Sequence, residues 1–222
     1  LMANADGLNF TSSSHIVITG CDIVAGDDAL AFSGYAHHYE LPGYRDVRRV
    51  SENVTVSNCL LQSRSSGIRV GGLDQNSLRN YRFDNITIHG SNRGVGLFVH
   101  QDGSLENIHF SDMTIQTRLH TGDWWGNGEP IHLSVIEGAP VERALGTARD
   151  ISFTNIRAES EAGILVYGDR PGAIRGLQFR NVRLRIADGG LQDEYGGNFD
   201  LRPALAPEKN LFAHDVPGIH LR

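Results

Sequence analysis

Apolar and polar residues alternate along six stretches of the chain, residues 15–23, 53–61, 80–88, 107–115, 150–158 and 176–184, and the six align without gaps. Alternation with a period of two predicts β-strands with unlike faces. The stretches start 38, 27, 27, 43 and 26 residues apart, so three intervals agree and two carry insertions. Their sixth positions read Gly20, Asn58, Asn85, Asp112, Asn155 and Asn181. Asn and Asp tolerate the left-handed backbone that a sharp bend between strands requires. Stacked from repeat to repeat, these side chains are expected to form a hydrogen-bonded ladder. The seventh positions read Cys21, Cys59, Ile86, Met113, Ile156 and Val182, an apolar column expected to stack inside.

A second strand is predicted after most units, at 29–34, 67–71, 94–100, 130–136 and 163–167. Its inward positions would be Leu30/Phe32, Ile68/Val70, Val95/Leu97, Ile131/Leu133 and Ile164/Val166. Its outward positions would be Ala31, Arg69, Gly96, His132 and Leu165. Repeats of this kind, each touching only its neighbours, predict an all-β fold: a right-handed parallel β-helix of about six to eight coils, one solenoid domain over residues 1–222. Sandwiches and barrels are the rival architectures, but they would not keep one residue type in one column. Ala5-Asp6-Gly7-Leu8-Asn9-Phe10 matches Asp27-Asp28-Ala29-Leu30-Ala31-Phe32 at an offset of 22. The chain thus opens mid-pattern, which reads as a partial solenoid lacking N-terminal coils. The tail is Gly-rich over 188–200, carries Pro203 and Pro207, and ends in a short strand expected at 218–221.

Bulk composition narrows the classes. With 222 residues, 40% apolar and 21% charged, the chain is long and apolar enough to fold around a core. A net charge of −6 argues against a nucleic-acid partner. No apolar run approaches the roughly 18 residues of a membrane span, and no basic-plus-apolar leader opens the chain. Cys21 and Cys59 have no metal-ligand company and read as buried thiols; no metal or cofactor is expected. A monomer is expected.

Three carboxylates then stand out: Asp6, with Asp27 and Asp28 lying 21 and 22 residues on, about one structural repeat. Adjacent like charges repel, so where water is partly excluded one of the pair is expected to hold its proton. A protonated carboxyl beside an ionised one is what glycoside hydrolysis uses. A solvated Asp-Asp turn is the plain alternative, and the repeat spacing weighs against it.

Asn4-Ala5-Asp6 followed by Gly26-Asp27-Asp28, inside such a repeat, resembles glycoside hydrolase family 28, the polygalacturonases and rhamnogalacturonan hydrolases. The family's pattern is Asn-Thr-Asp, Gly-Asp-Asp, Gly-His-Gly and Arg-Ile-Lys; the first two carry over, with Ala5 in place of Thr. The resemblance implies an inverting hydrolase of a pectin-like polysaccharide, extracellular or periplasmic, with Asp28 as general acid and Asp6 and Asp27 activating water. Where Gly-His-Gly belongs the chain has Ser65-Ser66-Gly67, and where Arg-Ile-Lys belongs it has Gly96-Leu97-Phe98. Arg69 and Arg93 are candidates for the missing positive charge, and a neutral sugar is equally open.

Further substrate-binding candidates follow from position. Trp124 and Trp125 lie in the insertion that runs from Asp123 to Pro130, and either stack on sugar faces or fold back onto the protein. Glu129 aligns with Asp28, Ser66 and Arg93, one per repeat, and either bridges to Arg93 or binds a hydroxyl. His100 and His132 are expected to face outward on the cleft strand, and His109 to be plain surface. Tyr35, His37, His38 and Tyr39 form a polar, aromatic insertion read as a loop. Sequons at Asn9, Asn53 and Asn85 read as by-products of the repeat. A non-catalytic glycan-binding β-helix and a polysaccharide lyase are the competing functions. A binding module has no use for the Asp27–Asp28 repulsion. A lyase usually needs calcium carboxylates and an Arg or Lys base, for which Arg69 is the one candidate.

Overall fold

The structure is a computed structural model and describes residues 4–35, 50–120, 124–138, 144–189 and a strand at 219–221. Among these residues there is no helix. In chain order the strands are β1 (Leu8–Thr11), β2 (Ser14–Thr19), β3 (Asp22–Ala25), β4 (Leu30–Ser33), β5 (Ser51–Ser63), β6 (Ser66–Gly72), β7 (Leu78–Ser91) and β8 (Arg93–Val99). There follow β9 (Leu105–Thr117), β10 (Ile131–Val135), β11 (Ala148–Ser160), β12 (Ile164–Gly168), β13 (Ile174–Arg175), β14 (Gln178–Ile186) and β15 (Ile219–Leu221). One sheet runs β1-β4-β6-β8-β10-β12-β15; the other runs β13-β11-β9-β7-β5-β2, with β14 on β11 and β3 on β5. Every pairing is parallel except that of β12 with β15.

The register follows the repeat. Leu8 pairs with Leu30 and Phe10 with Phe32; Cys59, Ile86, Met113, Ile156 and Val182 form one continuous line of partners. A parallel Phe column runs beside it, with Phe83, Phe110, Phe153 and Phe179 stacked at 4.6, 4.8 and 5.3 Å between ring centres. Offset-stacked rings at this spacing add to the burial of their area. Cys21 and Cys59 are free thiols, the second buried and the first half-buried.

The bends come in two columns, not one. Asn58, Asn85, Asp112, Asn155 and Asn181 all have φ between 50° and 57°. His15, Asn53, Asn80, Asn107 and Asp150, which open the same stretches, have φ between 53° and 63°. Nδ2 of Asn85 donates to Oδ1 of Asn58 at 2.7 Å, and Nδ2 of Asn107 to Oδ1 of Asn80 at 2.8 Å. The sixth-position ladder is exposed from Asn58 to Asn181.

The outward row of the first sheet departs from expectation. Ala31, His132 and Leu165 are buried like the inward row, and β8 and β10 are buried at every position. On this face Leu165 packs with Ile136 and Tyr167, and the Phe98 ring lies against Arg93 and His132. The period of two sorts residues between two faces but does not say which face meets water. No helix of the described residues is long and apolar enough to cross a membrane. His37, His38, Tyr39, Asp123, Gly218 and the tail prolines fall outside the described residues.

Candidate functional site

The carboxylates are brought together by register. β1 and β4 pair at an offset of 22 residues, and Gly7 N–H donates to the Asp28 carbonyl while the Gly26 and Asp27 N–H groups both reach the Ala5 carbonyl. Asp6, Asp27 and Asp28 therefore meet at the N-terminal ends of two adjacent strands. One oxygen of each lies within 4.8 Å of the others. This is closer than the roughly 6.5–9.5 Å separation of an acid and base with a water between them. Oxygens this close are also able to ligate a cation, and here a guanidinium stands beside them.

Each carboxyl has its own surroundings. Asp28 is buried and accepts on both oxygens, Oδ1 from the Ser66 N–H at 3.0 Å and Oδ2 from Arg69 Nε at 2.5 Å. Arg69 is held in place by Nη1 bonds to Ser33 Oγ (3.2 Å) and the Gly71 carbonyl (2.9 Å). Burial opposes its charge, but Asp28, with Tyr35 and Asp74 adding to it, raises its pKa on balance. Asp27 is buried, takes the Asn4 N–H on Oδ2 at 3.2 Å, and among the described residues has no hydrogen-bond partner at Oδ1. Burial, followed by the nearby Asp28, pushes its pKa up, against a hydrogen bond from Ser65. Asp6 is half-buried and accepts from Asn9 Nδ2 at 2.6 Å; burial and then Asp28 raise its pKa too.

Around them lies a cavity of about 450 Å3 whose lining includes Arg69, Arg93, His100, Trp125, Tyr35 and Phe98. The two Trp residues part company. Trp125 lines the cavity and is 39% exposed, its N–H on Ser65 Oγ at 3.2 Å. Trp124 is buried beneath the Arg64 guanidinium, 5.3 Å from its ring, and is not on the cavity wall. Asn92 fixes this segment, donating from Nδ2 to the Trp125 and Gly126 carbonyls at 3.0 Å each.

Glu129 and His132 lie behind the wall. Arg93 and Glu129 have side chains 1% exposed and pair at 2.6 Å between Nε and Oε1; His132 Nδ1 is 3.1 Å from the same oxygen. The Phe98 ring covers the Arg93 guanidinium at 4.9 Å and His132 at 5.1 Å. It folds over Gly96, where an added Cβ would meet the ring at 2.6 Å. Burial alone would raise the Glu129 pKa; Arg93, then His132, carry it down to about 2. Of the two readings of Glu129, the bridge to Arg93 is the one present. His100 lines the cavity, with Nε2 3.4 Å from Ser134 Oγ.

Several contributors had weak signals in the sequence. Asn9 sits three residues after Asp6, a legible helper. The Ser66 N–H and Phe98 emerge only through pairing between repeats. Asp74 is buried, accepts the Gly34 N–H at 2.7 Å and has no partner at Oδ2 among the described residues. Burial raises its pKa to about 7 despite that N–H and the nearby Arg69. Another depression, of about 490 Å3, lies on the other sheet between Thr87 and Arg185 and holds none of the residues expected at the site.

No curated protein and no solved structure matches the chain significantly. The sequence profile of glycosyl hydrolases family 28 matches residues 2–122, more than half of the 222. That span contains the three carboxylates, Arg69, Arg93 and His100, and on this match the chain belongs to glycoside hydrolase family 28.

Proposed function

We propose that this chain is a right-handed parallel β-helix, one monomeric domain, that hydrolyses glycosidic bonds of a pectin-like polysaccharide with inversion, outside the cytoplasm. The observation that carries the chemistry is the convergence of Asp6, Asp27 and Asp28 on one cavity within the family match. The solenoid is supported by the parallel pairing of each strand with its counterpart one repeat away.

The roles within the trio follow from hydrogen bonding. A proton donor needs an oxygen free to carry its proton, and Asp28 accepts on both of its own. Asp27 has a bare Oδ1 and a raised pKa, the condition of a carboxyl that enters the reaction protonated. The family resemblance suggested Asp28 as acid; the contacts favour Asp27 instead. Asp27 protonates the leaving oxygen. Asp6 and Asp28 hold the attacking water, with Asp6 accepting its proton and Arg69 keeping Asp28 in place. Substrate binding falls to Arg69, His100 and Trp125 at the wall, with Arg93, Glu129, His132 and Trp124 supporting it from behind.

A lyase is the second reading, because the three carboxylates lie within cation-binding reach. Against it, Arg69 is held protonated by Asp28 and makes a poor base. Reducing-sugar release from pectic polymers, read beside the ultraviolet absorbance of unsaturated products with and without chelator, separates the two. Hydrolysis predicts new reducing ends, no absorbance and indifference to chelator. Proton NMR of the first product then reads the anomer: retained configuration would overturn inversion, which the 4.8 Å approach of the carboxylates makes the sharpest question.

A further inference from the structure

We propose that the sugar ring seated at the three carboxylates is uncharged, a neutral or esterified residue of the polymer and not a free uronate. This rests on the hydrolase reading for the identity of the site and goes further in naming what the site accepts. The argument is a balance of charge and of hydrogen-bond donors among the described residues.

Two guanidiniums line the cavity, and both have carboxylate partners of their own. Arg69 meets Asp28 at 2.5 Å. Arg93 meets Glu129 at 2.6 Å, beneath the Phe98 ring. Once these pairs cancel, Asp6 remains among the described residues as a carboxylate with no arginine hydrogen-bonded to it, beside the protonated Asp27. A uronate placed on this wall would bring a further negative charge into a partly dry, already acidic cavity, where like charges repel more strongly than in bulk water.

The unsatisfied atoms point the same way. Asp27 Oδ1 and Ser66 Oγ are buried, belong to residues lining the cavity and have no hydrogen-bond partner among the described residues. Buried polar atoms without partners call for a ligand or water that completes them. Asp27, protonated as proposed above, donates from Oδ1 to a glycosidic or hydroxyl oxygen, and completing it needs no carboxylate on the ring. Ser66 Oγ bonds a hydroxyl equally well. The remaining wall is apolar or aromatic at Leu73, Phe98 and Trp125, suited to the C–H face of a neutral pyranose.

The test compares one oligomer in three forms: α-linked galacturonate, its methyl ester and its carboxyl-reduced counterpart. Calorimetric Kd and kcat/KM are measured on the intact chain at low and raised salt. The neutral forms should bind and turn over at least about ten-fold better at low salt, and the gap should narrow as salt screens the repulsion. Equal or better use of the free acid, or failure of all three to bind, would overturn the proposal. If the neutral forms bind preferentially but no bond is cleaved, the hydrolase reading falls and this one stands. If all are cleaved and the acid is fastest, the hydrolase reading stands and this one falls.

Discussion

Two carboxylate–guanidinium pairs lie on neighbouring strands of one sheet, in unlike surroundings. Asp28 and Arg69 sit at the edge of the cavity, with side chains 5% and 18% exposed; Glu129 and Arg93 are closed off at 1% each. Glu129 is fully answered, by Arg93, by His132 and by the Asn127 N–H at 2.5 Å. Asp28 is answered as well, but Asp6 and Asp27 crowd beside it, and both have their pKa raised in part by it. A balanced, sealed pair holds structure; a pair with surplus like charge at an open wall is what chemistry uses. The row Asp28, Ser66, Arg93, Glu129 thus changes role across four strands.

The sharpest way to break this comparison is at the open end. Asp27→Asn should lower kcat by about 10²–10⁴-fold, the usual contribution of a general acid. On an aryl glycoside whose leaving group needs no protonation, most of that loss should vanish. Asp28→Asn should lose activity on both substrates alike. If the pattern is reversed, with Asp28→Asn rescued and Asp27→Asn not, the acid is Asp28.

At the sealed end the expected effect is on stability. Glu129→Gln or Arg93→Met leaves a buried charge alone and should cost about 3–5 kcal/mol in denaturant unfolding. The double variant should recover much of the loss, as coupled partners do. Arg69→Met should do the converse, with a smaller stability loss and a larger drop in kcat/KM. Equal stability losses at Arg69 and Arg93 would erase the distinction drawn between the two pairs.

The pH dependence of stability sharpens it next, because two buried carboxyls pull in opposite directions. Folding lowers the Glu129 pKa from 4.5 to about 2. The unfolded chain therefore binds this proton first as pH falls, so the stability from Glu129 is complete above 4.5 and lost on the way down to about 2. Asp74 moves from 3.8 to about 7. Here the folded chain binds the proton more tightly, so stability is lost as pH rises from 3.8 through about 7. Asp74→Asn should thus raise Tm relative to the parent at about pH 8 and lose that advantage at about pH 4. The penalty of Glu129→Gln should be largest near neutrality and shrink in acid.

How much of this could be read from the chain differs between the two sheets. The eight-stranded sheet is written in columns: Cys59 to Val182, Phe83 to Phe179, Asn58 to Asn181 recur at one position per repeat, and recurrence is visible in a single sequence. Asp6, Asp27 and Asp28 were visible for the same reason, since 22 residues is one repeat. Burial on the outer face of the other sheet was not visible. His132 and Ala31 alternate as outward residues should, yet both are buried, His132 beside the Phe98 ring, and an alternation of two faces carries no record of what covers either. The pairing of Arg69 with Asp28, over 41 residues and an insertion, was equally hidden, whereas the bridge from Arg93 to Glu129, over 36, was one of the two readings that the alignment of repeats offered. Asp74 was hidden because a polar turn and a buried carboxyl look alike until packing is known.

The smallest effect tests whether the columns act through side-chain bonding or backbone shape. Asn85 has φ near 50°, is exposed, and donates to Asn58 at 2.7 Å. An exposed hydrogen bond competes with water and contributes little, whereas a left-handed backbone costs an ordinary L-residue about 1–2 kcal/mol. Asn85→Leu should therefore destabilise by about 1–2 kcal/mol through the bend. Asn85→Gly deletes the ladder bond but keeps the bend without strain, and should stay within about 0.5 kcal/mol of the parent. Chemical denaturation of the two variants decides the matter. Should glycine cost as much as leucine, the ladder itself holds the repeats together, and the column from Asn58 to Asn181 would be joined to the sealed Arg93–Glu129 pair as structure in side chains.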